Sequence, residues 1–205
     1  MDVSTALVAT KQVDDALGVL GKLLAKLKAK PDLAAQKLAQ ALEEIAKTYQ
    51  MLEGAISSYL SLGIDQGVLE KNSKALLDIE GGALSTAVER GRGHCHVIGN
   101  IYHQYLDRWF RRILKHEEHE SIRRVFERLA NADDDVFRHL AKAASELESE
   151  AHEVLNLVIR GNVSGARHRV LRARDELTPL RLRISKTMQK LYRLKGQFIE
   201  ISRVA

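Results

Sequence analysis

The chain reads as all-α, an elongated up-and-down bundle of about five long amphipathic helices with heptad-like seams, and three observations predict it. Two prolines, Pro31 and Pro179, are all that interrupt 205 residues, and proline both removes a backbone donor and clashes with the preceding helical turn. Apolar side chains return at alternating spacings of four and three, the rhythm of one helix face. No stretch alternates apolar and polar residues in the period-two pattern of a half-buried strand.

The elements follow in order. Helices are expected at about residues 4–29, 32–62, 65–80, 83–115, 118–160 and 163–203, within a single domain spanning 1–205. Val13, Leu17, Leu20, Leu24 and Leu27 make the first stripe, with Ser4 as its expected N-cap. Lys30-Pro31-Asp32 breaks it, and Asp32 can cap the next helix. That helix carries Leu38, Leu42, Ile45, Tyr49, Leu52, Ile56 and Tyr59 without a slip. Gly81-Gly82 leaves open whether 65–115 is one bent helix or two. From there the stripe is expected to run Leu84, Val88, Gly91, Cys95, Ile98, Tyr102, Tyr105, Trp109. Ile122, Phe126, Leu129, Val136, Leu140, Leu147, Val154 and Val158 follow, up to Gly161-Asn162.

The last segment is the most regular. Val163, Val170, Leu177, Ile184, Leu191 and Phe198 recur every seven residues, with Ala166, Ala173, Leu180, Thr187, Leu194 and Ile201 between them. Six heptads predict a left-handed supercoil and a helix roughly 60 Å long at about 1.5 Å per residue. Pro179 falls inside the run without shifting its phase, so a kink is expected rather than an end. The tight turns at Lys30-Pro31-Asp32 and Gly161-Asn162 predict antiparallel neighbours, as in an up-down bundle.

Composition narrows the class of protein. Hydrophobic residues make up 45% and charged residues 29%, which suits a folded domain. The single cysteine, Cys95, excludes an internal disulfide framework and fits a reducing compartment. No apolar run approaches the roughly 20 residues of a membrane span, and Met1-Asp2-Val3-Ser4 lacks a basic region ahead of an apolar one. The expected location is cytoplasmic.

Chemistry-bearing residues concentrate in two places. The stretch Arg90-Gly91-Arg92-Gly93-His94-Cys95-His96, followed by Tyr102-His103 and Trp109, could form an anion or small-ligand site. On one helix its candidate residues Arg90, Arg92, His94, His96, Tyr102 and His103 would stand as basic flanks around an aromatic face. The bland reading is a buried face whose cationic flanks pair with neighbouring helices. His116-Glu117-Glu118-His119-Glu120 lacks the His-Glu-x-x-His order of zinc peptidases, and no histidine follows a Glu three residues earlier as di-iron bundles require. A charged, solvated helix start explains that cluster. No catalytic triad, phosphate loop or dinucleotide fingerprint is found, so no enzyme, cofactor or metal is expected.

The second place is the C-terminal helix. Over residues 116–159 eleven Asp and Glu face five Lys and Arg, whereas over 160–205 twelve Lys and Arg face three Asp and Glu. Arg167, Arg172, Arg174, Arg181, Arg183, Lys186, Lys190 and Arg193 form a candidate basic ridge for an acidic partner or lipid. The bland reading pairs them with the acidic segment before them, fixing register more than stability.

Function is therefore expected to be non-catalytic: a protein-protein interaction or scaffold module, self-association included. The alternative is a bundle that binds an anionic membrane surface, by remodelling or toxin-like activity among other ways. A second alternative is a small-ligand or anion-binding bundle centred on residues 90–112. Nucleic acid is disfavoured, because the acidic segment should repel phosphate.

Overall fold

A computed structural model describes residues 3–24, 32–63, 66–132 and 136–203, and the structural statements below concern those residues. They form α1 (Val3–Leu24), α2 (Asp32–Ser61), α3 (Gln66–Lys71), α4 (Ser73–Glu80), α5 (Ala83–Ile101), α6 (Asp107–Ile113), α7 (His116–Ala130), α8 (Arg138–Ile159) and α9 (Val163–Arg203). A π-turn, Tyr102–Leu106, joins α5 to α6, and no strand occurs among the described residues. The molecule is an all-α bundle.

The helix α9 is its axis. Ala166, Val170, Leu177, Leu180, Ile184, Thr187, Leu191, Leu194 and Phe198 are all buried, so the heptad seam of the sequence is the buried line of the helix. The Thr187 hydroxyl donates to the Arg183 carbonyl at 3.1 Å, which satisfies it inside the core. Pro179 stays within the helix. It lies on the exposed side, where the carbonyl deprived of its donor can face solvent.

Neighbour order departs from a simple hairpin. Lys190 and Arg183 of α9 reach Asp14 of α1, and Leu194 lies beside Gly21, so α1 runs parallel to α9. Lys195 meets Glu43, Tyr192 meets Gln50 and Val170 meets Gly63, so α2 runs antiparallel to it. The expected direct pairing of α1 with α2 is therefore corrected: α9 packs extensively with both, while they touch little. The reason is the seam itself, since a helix apolar along six heptads buries more surface than the shorter helices can offer each other.

The turn at Gly161-Asn162 is built as its residues suggest. Gly161 has φ 75°, a left-handed value that costs glycine nothing. Its N–H donates to Val158 O at 2.9 Å and that of Asn162 to Leu157 O at 2.8 Å, the double bond of a Schellman motif. The Asn162 side chain then accepts the Gly165 N–H at 3.0 Å and caps α9. Arg169 and Glu150 pair across this antiparallel corner.

Other boundaries shift. Gly81-Gly82 does end a helix, with Gly82 at φ 73°. Glu148 of α8 caps α5 from outside, accepting the Ser85 N–H at 3.0 Å and its hydroxyl at 2.7 Å. The expected helix over 65–80 breaks between Lys71 and Ser73, and the one over 118–160 divides into α7 and α8. Ser4 sits inside α1 rather than at its cap. Residues 25–31 and the Asp32 side chain fall outside what is described, as do the expected end of the first helix and its neighbour's cap.

Two glycines in the α5 stripe mark crossings. A Cβ on Gly91 would come within 2.5 Å of Thr48 Oγ1 and 2.6 Å of Phe137 Cε1, and one on Gly99 within 2.7 Å of Ala130 Cβ. Thr48 uses the closeness to donate to Ala87 O at 3.1 Å. Here α5 touches α2, the start of α8 and α7 through backbone-thin contacts.

Candidate functional site

The π-turn decides which side chains of the 90–112 stretch face inward. The stripe runs through Gly91, Cys95, Ile98 and Tyr102 as expected, then continues through Leu106 and Phe110 instead of Tyr105 and Trp109. Successive spacings of four would drift off a 3.6-residue period, and one wider turn absorbs the drift. Tyr105 is consequently 43% exposed, and Trp109 is partly buried against Phe110, with ring centroids 4.8 Å apart.

The six candidate residues do not converge. Tyr102 is fully buried, stacked on Phe126 with centroids 4.6 Å apart and near Phe110 at 6.3 Å. Arg90, His96 and His103 are exposed. Arg92 pairs weakly with Glu89 on its own helix at 3.6 Å. His94 alone lines a groove.

That groove lies between α2 and α5 and has a volume of about 760 Å³, within the range of ligand or peptide sites. Ala41, Val97, Ile101 and Tyr105 supply apolar surface, with Gln40, Asn100 and Gln104 among the polar lining. Val97 is 41% exposed. Lys37 sits over the Tyr105 ring, 5.1 Å from its centroid, while Glu44 and His94 stand toward the other end. The two helices touch closely at Thr48 and Gly91, and the groove opens along them between Glu44 with His94 and Lys37 with Tyr105.

A polar cluster beneath the π-turn escaped the sequence reading. His119, expected on a solvated helix start, is buried, because it shares the inward face of α7 with Ile122 and Phe126. Its Nε2–H donates to Asp107 Oδ1 at 2.9 Å, and the Tyr102 hydroxyl donates to the same oxygen at 3.3 Å. Arg111 holds Asp107 Oδ2 at 3.0 Å. Burial opposes ionisation of Asp107, but the His119 hydrogen bond, the Arg111 charge and the Tyr102 hydroxyl outweigh it and hold the carboxyl below its ordinary range. The Tyr102 hydroxyl is pushed well up, first by burial and then by the Asp107 charge. All three groups satisfy one another, so the cluster pins α7 to the π-turn. Among the described residues no three potential metal ligands come together.

The basic ridge divides. Arg169 grips Glu150 through two bonds of 2.6 and 2.9 Å, the pairing with the acidic segment that the charges suggested. Lys190 and Arg183 instead meet Asp14 of α1 at 2.8 and 3.6 Å, and Lys195 meets Glu43 of α2 at 2.9 Å. Arg181 reaches Ser57 at 3.5 Å, and Arg167 is half-buried. Asp14 was not singled out from sequence, yet it is buried under two cations with its Oδ1 unpaired. Arg172, Arg174, Lys186 and Arg193 remain exposed. Asp175, Glu176 and Glu200 lie along the same exposed side.

No protein-family model matches the chain, and no curated protein or solved structure matches it either. No described helix is long and apolar enough to cross a membrane.

Proposed function

We propose that the chain is a non-catalytic helical-bundle interaction module whose docking surface is the groove between α2 and α5. The observation that carries this reading is the groove's exposed apolar pair, Val97 and Tyr105, set over Ala41 and Ile101. A groove between two helices with apolar surface accepts a third helix, which lays its own apolar face along it.

The occupant we assign first is a second copy of this chain. Lys37 and Glu44 carry opposite charges and stand seven residues apart on α2, about 10 Å along its axis. The exposed pair that Glu44 makes with Lys47 at 2.6 Å on the same helix would have to be shared with or exchanged for the partner's Lys37. A two-fold arrangement then brings each Lys37 toward the Glu44 of its partner, the self-complementarity that an isologous interface needs.

The runner-up is adhesion of the α9 cations to an anionic lipid surface. It rests on Arg172, Arg174, Lys186 and Arg193, since Arg183 and Lys190 are engaged by Asp14.

Sedimentation velocity across a concentration series tests the first reading. Wild type is expected to shift from monomer to dimer, and Val97→Asp with Tyr105→Asp to remain monomeric with unchanged circular dichroism. A wild type that stays monomeric throughout, or a variant that dimerises as before, contradicts it.

A further inference from the structure

A denser group of unengaged cations lies away from α9, where α6 turns into α7. The extended contacts of α6 are to the π-turn and α7, so its outer side projects from the bundle. The chain leaves it through two extended residues, Leu114 at ψ 153° and Lys115 at ψ 154°. Arg108 and Arg112, one turn apart, and Lys115 are all exposed. Their side chains make no ion pair with any described residue. Beside that stripe, Ile113 is 44% exposed and Trp109 is partly exposed.

The neighbouring acids are mostly engaged. Asp107 is held by His119 and Arg111. Glu118 accepts the Lys115 N–H at 3.4 Å, and Glu120 pairs with Arg123 at 3.1 Å. Glu117 is exposed in the first turn of α7.

We infer that the α6–α7 tip is a contact surface for an anionic membrane leaflet. Three cations on a projecting corner gain from a surface of fixed negative charge, each about as much as an exposed basic residue near acidic lipid does. An isoleucine and a tryptophan beside them supply what a phosphate backbone would not use: side chains that settle into the headgroup region with the cations above. This pairing favours lipid over nucleic acid. It differs from the α9 reading, where acids intersperse the cations and the surface runs along the rod instead of ending it.

Cosedimentation with phosphatidylcholine vesicles, with and without phosphatidylserine, tests the inference at low and physiological salt. The full chain should pellet with the phosphatidylserine vesicles alone and release as salt rises. Arg108→Glu with Arg112→Glu and Lys115→Glu should lower that partition at least about tenfold. Ile113→Ser should weaken it while leaving the salt dependence in place. Arg172→Glu with Arg193→Glu on α9 separates the tip from the α9 surface and should lower the partition less than the tip reversal does. Circular dichroism melts accompany every variant, and if the triple reversal unfolds, Arg112→Gln and Ile113→Ser carry the comparison. Absence of pelleting, loss through the α9 variant with the tip variant unaffected, or capture of duplex DNA without capture of vesicles overturns it.

Discussion

Gly91 and Gly93 stand two residues apart on α5 and predict opposite responses to the same change. A methyl at Gly91 meets Thr48 and Phe137 inside contact distance, whereas one at Gly93 meets nothing within 4 Å. Gly91→Ala should cost about 1–3 kcal/mol through overpacking, and Gly93→Ala should add about 0.5–1 kcal/mol through the stiffer unfolded chain. Urea melts of the two variants measure the difference. From sequence, Gly91 stood in the inward stripe and Gly93 did not; how tightly α5 crosses α2 and α8 at Gly91 was not legible there. Asp107 makes a second prediction at this scale. Its folded pKa lies below the ordinary value, so it adds stability above the unfolded pKa of about 3.9. That contribution is lost as pH falls from there through the folded value. Wild type should exceed Asp107→Asn near neutral pH, and the gap should close below about pH 4 in chemical denaturation run across pH. His119 was legible as a residue but not as a partner, because Asp107 lies twelve positions earlier and meets it through a π-turn that residue spacing does not announce.

At the scale of elements, the stripes of α2 and α9 were readable residue by residue. Leu38 through Tyr59 are buried where the four-and-three rhythm placed them, as are the positions from Val170 through Phe198 apart from the partly buried Ala173. The rhythm failed where the backbone changed its own period: Tyr102–Leu106 takes one wide turn, and the inward residues become Leu106 and Phe110. A register shift of this kind leaves little trace, since Tyr105 and Trp109 carry large apolar bodies that fit an inward stripe as readily by spacing as Leu106 and Phe110. Helix ends marked by glycine were found, at Gly82 and Gly161, because a left-handed residue is a chemical requirement there. The division between Ala130 and Arg138 lacked such a marker. Pro179 offers a test of α9 itself. It is exposed in a helix that runs on unbroken past it, so Pro179→Ala should restore a backbone hydrogen bond and add about 1–3 kcal/mol. A thermal melt should rise by several degrees for a chain of this size; a fall would mean that Pro179 fixes a backbone geometry that α9 needs in order to pack on α1 and α2.

At the scale of the whole molecule, the class of fold was legible and the order of packing was not. Tight turns imply antiparallel neighbours, which holds for α8 and α9 at Arg169 and Glu150. α1 and α2 also run in opposite directions, but they touch little and α9 packs against both. Which helix wins a neighbour depends on total apolar face, a comparison among all segments that local spacing cannot make. The same limit hid the groove: Lys37 and Tyr105 are 68 positions apart in sequence and come together only through the packing of α2 on α5. Of the two candidate sites read from sequence, the 90–96 cluster contributes His94 to the groove, and the α9 ridge spends Arg183 and Lys190 on Asp14 of α1, while Arg169 and Lys195, outside that ridge, pair with Glu150 and Glu43.

The most direct measurement of the proposed interface is a charge exchange across it, read by sedimentation velocity. If two copies meet with Lys37 facing the partner's Glu44, then Lys37→Glu alone and Glu44→Lys alone should each weaken the dimer, and the double exchange should restore it. Loss of the dimer in both single variants without recovery in the double, or a dimer indifferent to all three, would contradict the account.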